Sequence, residues 1–265
     1  MTSLRNSSWP LLAVGSVILV FLILPTLLVV PMSFSPTNYL RFPPTGFSLR
    51  WYEAYFSDAG WIDATLFSLQ IAAMTTVASA VIGTMASVAL VRGRIPGQET
   101  LTALMLAPLI VPHVVVAIAV YFQLSPLGLI GTRLAFVLVH TALAVPYVLL
   151  VVTAALQRVP SSYEMAGLNL GASRLDCFRL ITLPLIMPAV AAGSIFAFLA
   201  SFDETVVSFF ISGVEHKTIT RKLMEDIEFN LSPLIAAAST IFVVATVLLM
   251  WGGTLVKGGG SSKAA

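Results

Sequence analysis

Two acidic residues, Asp203 and Glu204, lie side by side within a long apolar stretch of the chain. An acid at the centre of a bilayer costs about 2.5–3.5 kcal/mol on insertion scales, so it normally faces a polar interior, a partner or a transport pathway. The pair therefore has the chemistry to draw a cationic solute inward. The alternative is a structural role, in which the acids pair with Arg or Lys of an external segment or of another subunit.

Helical rotation separates these two acids. Small residues recur every four positions on the same stretch and form a face for close helix packing: Ala189, Gly193, Ala197 and Ser201. In a continuous helix Glu204 lies beside this face, whereas Asp203 lies on the far side. We expect one acid to be structural and the other to face the pathway.

Two further residues are candidates for the same pathway. His113 follows Pro108 and Pro112, and a proline within a membrane helix frees backbone carbonyls that can line a cavity. An interior hydrogen bond is its alternative role. Tyr147 is a weaker candidate, because aromatic residues near the ends of a span commonly anchor at the membrane interface.

No catalytic pattern accompanies these residues in the sequence. A phosphate-binding loop is absent, since the nearest match, "GVEHKT", lacks the required glycine. The patterns H-E-x-x-H and G-x-S-x-G are absent as well. The three His are not clustered with acids. We therefore predict no catalytic residue, no metal site and no cofactor bound by this chain.

The composition identifies an all-α integral membrane protein. Hydrophobic residues make up 58% of the 265 residues and charged residues 10%, against roughly 45–50% and 25% in soluble domains. A net charge of +2 gives no reason to expect nucleic-acid binding. Six charge-free stretches are each longer than the roughly 20 residues of a membrane span, and the fifth of them ends at the acid pair. They predict six transmembrane helices: 11–31, 65–91, 101–123, 134–156, 189–211 and 233–256.

The loops between these spans predict the orientation and the organisation of the chain. Lys and Arg favour the segments that face the cytoplasm if both termini are cytoplasmic, and acids accumulate in the others. We predict an N-terminal helix with an external loop over residues 1–63, in which residues 49–56 form either a short helix in the headgroup region or an ordinary external helical turn. A core of five spans follows over 64–256, and a Gly- and Ser-rich flexible tail over 257–265.

One cytoplasmic segment, residues 158–186, differs from its apolar surroundings. It contains "SSYEMAGLNLGASRLDCFRLITLP", in which Ser161 with Glu164 predicts a capping box at the start of a short helix. Gly171 is the natural C-terminal stop of that helix. Ser173 with Asp176 repeats the capping signature for a second helix.

Pro184 is predicted to end this second helix. The result is a helix, a glycine turn and a helix between two spans, with few neighbours of its own chain. Such a structure is suited to contact another protein. The alternative is an amphipathic loop that rests on the inner leaflet.

The run "LGASRLDCFRLITLPLIMPAV" resembles the cytoplasmic EAA loop of permease subunits in bacterial binding-protein-dependent ABC importers. That pattern has Glu-Ala-Ala, three residues, Gly, nine residues, Ile, one residue and Leu-Pro. Its second half is matched in full, by Gly171, Ile181, Leu183 and Pro184. Met165, Ala166 and Gly167 occupy the Glu-Ala-Ala positions, so that Glu164 lies one residue early.

The resemblance extends to "APLIVPHVVVAIAV" and to "SFDETVVSFFISG", which looks most like the polyamine branch of type I importers. It implies the type I permease fold in the bacterial inner membrane. It further implies a second permease subunit, a periplasmic substrate-binding protein, and ATPase subunits that bind ATP and Mg. The residues it implies for the ATPase contact are Tyr163, Glu164, Met165, Ala166, Gly167, Asn169, Gly171, Ala172 and Arg174. An ion-gradient-driven transporter that uses Asp203 and Glu204 is the alternative.

Overall fold

The computed structural model describes residues 8–93, 95–213 and 216–258, with only the backbone described for residues 8, 10 and 249–258. All regular secondary structure within these residues is helical. The helices are α1 Ser8–Met32, α2 Arg50–Ser57, α3 Ala59–Arg92, α4 Gln98–Leu106, α5 His113–Leu124, α6 Arg133–Leu156, α7 Ser162–Asn169, α8 Arg174–Cys177, α9 Leu183–Phe202, α10 Val206–Ile211, α11 Ile219–Phe229 and α12 Pro233–Gly258. The predicted all-α class is confirmed.

Several helical segments are long and apolar enough to cross a membrane. Four qualify among the described residues: Leu11–Met32, Ala59–Arg92, Arg133–Leu156 and Arg174–Phe202. A bent pair, Gln98–Leu109 with His113–Leu124, makes a fifth if it counts as one span. The sixth predicted span is represented by the shorter apolar stretch Pro233–Leu248 within α12. A multi-pass protein is confirmed, but the count of six spans is not reached by these criteria.

The predicted span 101–123 is not one straight helix. After α4, a 3-10 turn covers Ala107–Leu109, and α5 then leaves at an angle of 98°. Pro108 and Pro112 lie at this bend. Each proline removes one backbone donor and clashes with the preceding helical turn, so two prolines four residues apart break the span.

The predicted start of the fifth span is wrong. Pro184 does not end a helix, because α8 continues through a π-helical turn, Phe178–Thr182, into α9. In that turn the N–H of Leu183 bonds to the carbonyl of Phe178, five residues back. Pro184 therefore lies inside a continuous helix, directly after the π-helical turn, and a π-helical turn is a usual way for a helix to accommodate such a local disruption.

The predicted end of the fifth span is also wrong. The helix α9 ends at Phe202, and residues 203–205 separate it from α10. The acid pair therefore lies in a break rather than inside a continuous helix. Because α9 alone is about 30 Å long, this break lies towards the end of the span remote from the 158–186 loop.

The unit formed by residues 63–222 is built around α6. A Cβ added at Gly83 of α3 would lie 2.7 Å from Cβ of Val148, and one added at Gly193 of α9 would lie 3.0 Å from Cα of Val148. Both helices therefore approach α6 closely only because these positions lack side chains. The small-residue face predicted on the fifth span is confirmed, and its partner is α6.

The second unit comprises residues 1–62 and 223–265. In it α12 packs against α1 and α2. The short helix predicted around 49–56 is present as α2, and its Trp51 Nε1 donates to the carbonyl of Ser35 at 2.9 Å. Of the predicted tail 257–265, the first two residues belong to α12, and the remainder lies outside the described residues.

Candidate functional site

The 158–186 loop folds largely as its local sequence dictates. The helix α7 ends at Asn169, and Gly171 has a φ of 91°, the left-handed conformation that glycine adopts without steric cost. Ser173 and Asp176 form the predicted capping box, with the Asp176 N–H donating to Ser173 Oγ at 3.1 Å and the Ser173 N–H to Asp176 Oδ2 at 3.2 Å. The predicted helix, glycine turn and helix are confirmed.

The first predicted capping box is wrong. Ser161 precedes α7 in a helical conformation and makes no side-chain capping bond. Instead, Glu164 Oε1 accepts from Arg92 Nε at 3.0 Å and from Thr182 Oγ1 at 2.8 Å. A charged donor is a stronger partner for the carboxylate than a backbone N–H, so the side chain turns towards the core.

Arg92 is a residue that sequence reasoning missed. It ends α3, and one guanidinium nitrogen also donates to the carbonyl of Val159 at 2.6 Å. The ion pair with Glu164 is about four-fifths buried on both sides, with 20% and 22% of the side chains exposed. Because the partners are 72 residues apart, no local pattern connects them. Arg92 thus ties α7 to the end of α3.

Gly167 allows α7 to pack against the next helical segment. A Cβ at this position would lie 2.9 Å from both Cys177 Sγ and Ile181 Cδ1. The position is one of those on which the resemblance places Glu-Ala-Ala, and here it accepts no larger side chain without displacement of a neighbour. The loop is therefore a packed unit rather than a loose connection.

The outer surface of the loop is apolar. Five large side chains are exposed between residues 163 and 175 of the loop, and we call them the loop face: Tyr163, Met165, Leu168, Leu170 and Leu175. Of the remaining sequence candidates, some are exposed, namely Ala166, Asn169, Gly171 and Arg174, and some are half-buried, namely Glu164, Gly167 and Ala172. Leu168, Leu170 and Leu175 were not among the contact candidates predicted from the sequence. The alternation of these leucines with polar residues in the loop could have indicated them.

The structure separates the two acids at the break between α9 and α10. Asp203 is exposed, whereas Glu204 is 6% exposed. Glu204 Oε1 accepts from the N–H of Val207 at 2.9 Å, and its backbone carbonyl accepts from Thr220 Oγ1 at 3.1 Å. The predicted difference in direction is present, but the break produces it rather than rotation along a continuous helix.

His113 and Glu204 are in direct contact. Nδ1 of His113, the first residue of α5, lies 2.9 Å from Glu204 Oε2. The hydrogen bond of the alternative role of His113 is present, with one of the candidate acids as its partner, but the ring is 44% exposed rather than interior. The contact joins the two interrupted spans at their breaks.

A second histidine, His140, braces the same break and was also missed. His140 is buried on α6. Its Nδ1 is 2.9 Å from Ser201 Oγ on α9, and its Nε2 is 3.3 Å from Ser208 Oγ on α10. The ring thus links the helices on both sides of the break. A single His within an apolar span was the feature of the sequence that could have indicated this residue. Tyr147 is half-buried two turns further along α6, roughly 10 Å from His140 along the axis, so it does not belong to this cluster.

The side chains that could bind a metal ion are not grouped as in a metal centre. Among the described residues, no group of three or more His, Cys, Asp or Glu is placed to hold a metal ion. The absence of a metal site and of a cofactor stays a prediction for the chain as a whole.

A multi-pass helical chain with two interrupted spans and a packed helix–glycine–helix loop has the architecture of a membrane permease. The chain belongs to the family described as "Binding-protein-dependent transport system inner membrane component", whose model matches residues 79–258. The predicted ABC importer permease class is thereby confirmed.

Similar proteins agree with this assignment. The chain is 33% identical over 232 residues to the putrescine transport system permease protein PotI of Escherichia coli (strain K12), with 85% of this chain and 82% of the relative covered. It is 29% identical to the spermidine/putrescine transport system permease protein PotC of Haemophilus influenzae, with 88% and 91% covered. In fold it resembles a chain of a bacterial alginate ABC transporter crystallised with its alginate pentasaccharide-bound periplasmic protein, at a TM-score of 0.68, 16% identity and 92% coverage of both chains.

Proposed function

We propose that this chain is the membrane-spanning, non-catalytic subunit of an ATP-driven importer that moves a polyamine or related amine from the periplasm into the cytoplasm. It works in the bacterial inner membrane with both termini cytoplasmic. A second permease subunit completes the channel, a periplasmic binding protein delivers the solute, and partner subunits bind ATP with Mg and hydrolyse it. Family membership and the names of the two relatives support this function. They do not favour the ion-gradient-driven alternative.

The observation that carries the proposal is the apolar loop face on an otherwise well-packed loop. Leu170 is 89% exposed and Met165 57%, and large apolar side chains exposed together mark a contact surface. We assign this face to the ATPase partner. Arg92 and Glu164 connect α7 to α3, so that a displacement of the loop is passed to a membrane helix instead of being absorbed locally.

The substrate class is supported by the relatives and by the acidic break. Polyamines are cations, and the exposed Asp203 with the buried Glu204 places negative charge where the fifth span is interrupted. His113 lies against Glu204, and Tyr147 lies further along α6. We propose that these four residues make up the polar part of the pathway, with Glu204 buried behind His113.

The docking role of the loop face is tested with Leu170→Glu. This side chain is almost fully exposed, so its replacement leaves the packing of the chain intact while it places a charge in the proposed apolar contact. The matched control is Leu127→Glu, which changes a 64% exposed leucine in the turn between α5 and α6. Both variants are co-expressed with the remaining importer subunits, purified through a tag on this chain, and assayed for ATPase activity.

We expect an ATPase subunit to co-purify with the wild type and with Leu127→Glu, and to be lost or at least about tenfold reduced with Leu170→Glu, since a buried unpaired charge is strongly unfavourable in an interface. Equal recovery of active ATPase with Leu170→Glu would show that the loop face is not the contact. Recovery of transport from wild type without any ATPase would overturn the importer itself.

A further inference from the structure

The contact between His113 and Glu204 is asymmetric in exposure. The imidazole of His113 is 44% exposed, whereas the carboxylate of Glu204 is 6% exposed. A solute that approaches this chain can therefore touch the ring but not the acid. The residue with the negative charge and the residue accessible to a solute are different residues.

The exposed ring lies beside the break of the fifth span. Its partner Glu204 follows α9, about 30 Å from the start of that helix, so the pair lies towards the end of the span that is remote from the 158–186 loop. A polar ring that its own chain leaves uncovered beside a membrane span is unfavourable against lipid, and it is satisfied if it faces a polar pathway.

The hydrogen bonds of Glu204 fix the orientation of this ring. Oε1 is held by the N–H of Val207, which leaves Oε2 directed at Nδ1 of His113. Among the residues that the structure describes, none makes a polar contact with Nε2, the other nitrogen of the ring. A carboxylate that engages one ring nitrogen sets the tautomer and presents the other nitrogen outward.

We propose that His113 is the residue that contacts the transported amine, and that Glu204 is a positioning residue which orients the imidazole and places negative charge behind it. Nδ1 of the ring is directed at the carboxylate, so Nε2 is the ring nitrogen left to accept a hydrogen bond from an ammonium N–H of the solute. The carboxylate behind the ring favours a cationic solute. This inference rests on the proposed import of an amine.

The surroundings of the pair are consistent with this division of roles. Asp203 is the exposed acid on the same break and adds negative charge nearby. His140 is engaged by Ser201 and Ser208, so it stabilises the break instead of facing the solute.

The test uses the complete importer, reconstituted in proteoliposomes with its periplasmic binding protein, and measures radiolabelled putrescine taken up per ATP hydrolysed. Both quantities are normalised to the amount of assembled complex. The variants are His113→Ala, His113→Gln, Glu204→Gln and the double variant His113→Ala with Glu204→Gln. Glu99→Gln, which makes the same chemical change at an exposed acid on α4, is the matched control.

We expect His113→Ala to lower uptake per ATP by about tenfold, the effect of one hydrogen bond to a charged group. His113→Gln retains more uptake because its amide oxygen reaches the position of Nε2. Glu204→Gln is expected to lower uptake per ATP by a comparable factor. Its amide N–H donates to Nδ1, so the ring proton moves to Nε2, which then donates a hydrogen bond instead of accepting one. The double variant is no worse than His113→Ala, because Glu204 acts through the ring.

Three results would overturn the inference. Multiplicative losses in the double variant would mean that Glu204 contacts the solute itself. Losses of uptake and ATP hydrolysis in constant proportion would mean that the pair is only structural. Absence of putrescine uptake by the wild-type complex would instead overturn the proposed amine substrate, and this inference would fall with it. The wild-type measurement alone distinguishes that outcome from the other two.

Discussion

At the scale of single residues, the chain depends on a few positions where a small or charged side chain is required by a distant neighbour. Gly167 is the sharpest case, since two side chains occupy the space that its Cβ would need. Glu164 is another, since its carboxylate is shared between Arg92 and Thr182. Both residues lie in the 158–186 loop, and their contacts connect the loop face to the membrane helices.

Gly167→Val is expected to loosen the packing of α7 on α8. Overpacking typically costs about 1–3 kcal/mol, and here the loss appears as faster amide hydrogen exchange in α7 of the purified chain. Removal of one of the two obstacles in the double variant Gly167→Val with Cys177→Ala should restore part of the protection. The control is Gly15→Val, because nothing lies within 4 Å of a Cβ at Gly15. Unchanged exchange in Gly167→Val would refute the tight packing.

At the scale of elements, the ends of several helices were predictable from the sequence, because their causes are local. Gly171 and the Ser173–Asp176 box determine a turn and a cap within a few residues. The partners of Arg92 and His140 were not predictable, since they lie 72 and 61 residues away. The breaks were also missed, because hydropathy reports the length of an apolar stretch and not its continuity. Only the bend at Pro108 and Pro112 left a visible signal.

The connection between α3 and α7 can be tested through its ion pair. Glu164→Ala removes the acceptor of Arg92 and Thr182 at once, so we expect amide exchange in α7 to rise by about tenfold, as for the loss of a hydrogen bond to a charged group. Glu164→Gln keeps an acceptor oxygen for Thr182 and should lie between wild type and Glu164→Ala. Arg158→Ala, which removes an exposed arginine near the same loop, is the control. Equal exchange in all four proteins would mean that the ion pair does not hold the loop.

At the scale of the whole molecule, the proposed coupling requires the loop face and the turn between α5 and α6 to lie on opposite sides of the membrane. The parity of the spans supports this arrangement: α6 is a single span that runs from the turn at residues 125–132 to the loop at residues 158–186. The charge distribution favours the cytoplasm for the loop. The prediction of cytoplasmic termini follows from the same assignment.

Labelling of an introduced cysteine decides the orientation. The native Cys177 is only 4% exposed, so the wild-type protein should react slowly with a membrane-impermeant maleimide and serves as the background. Leu127→Cys is expected to react in intact spheroplasts, whereas Leu170→Cys is expected to react only in inverted vesicles. Both leucines are exposed, so neither substitution disturbs the core. The reverse pattern would place the loop face in the periplasm, where no ATPase could reach it, and the coupling role of the loop would have to be abandoned.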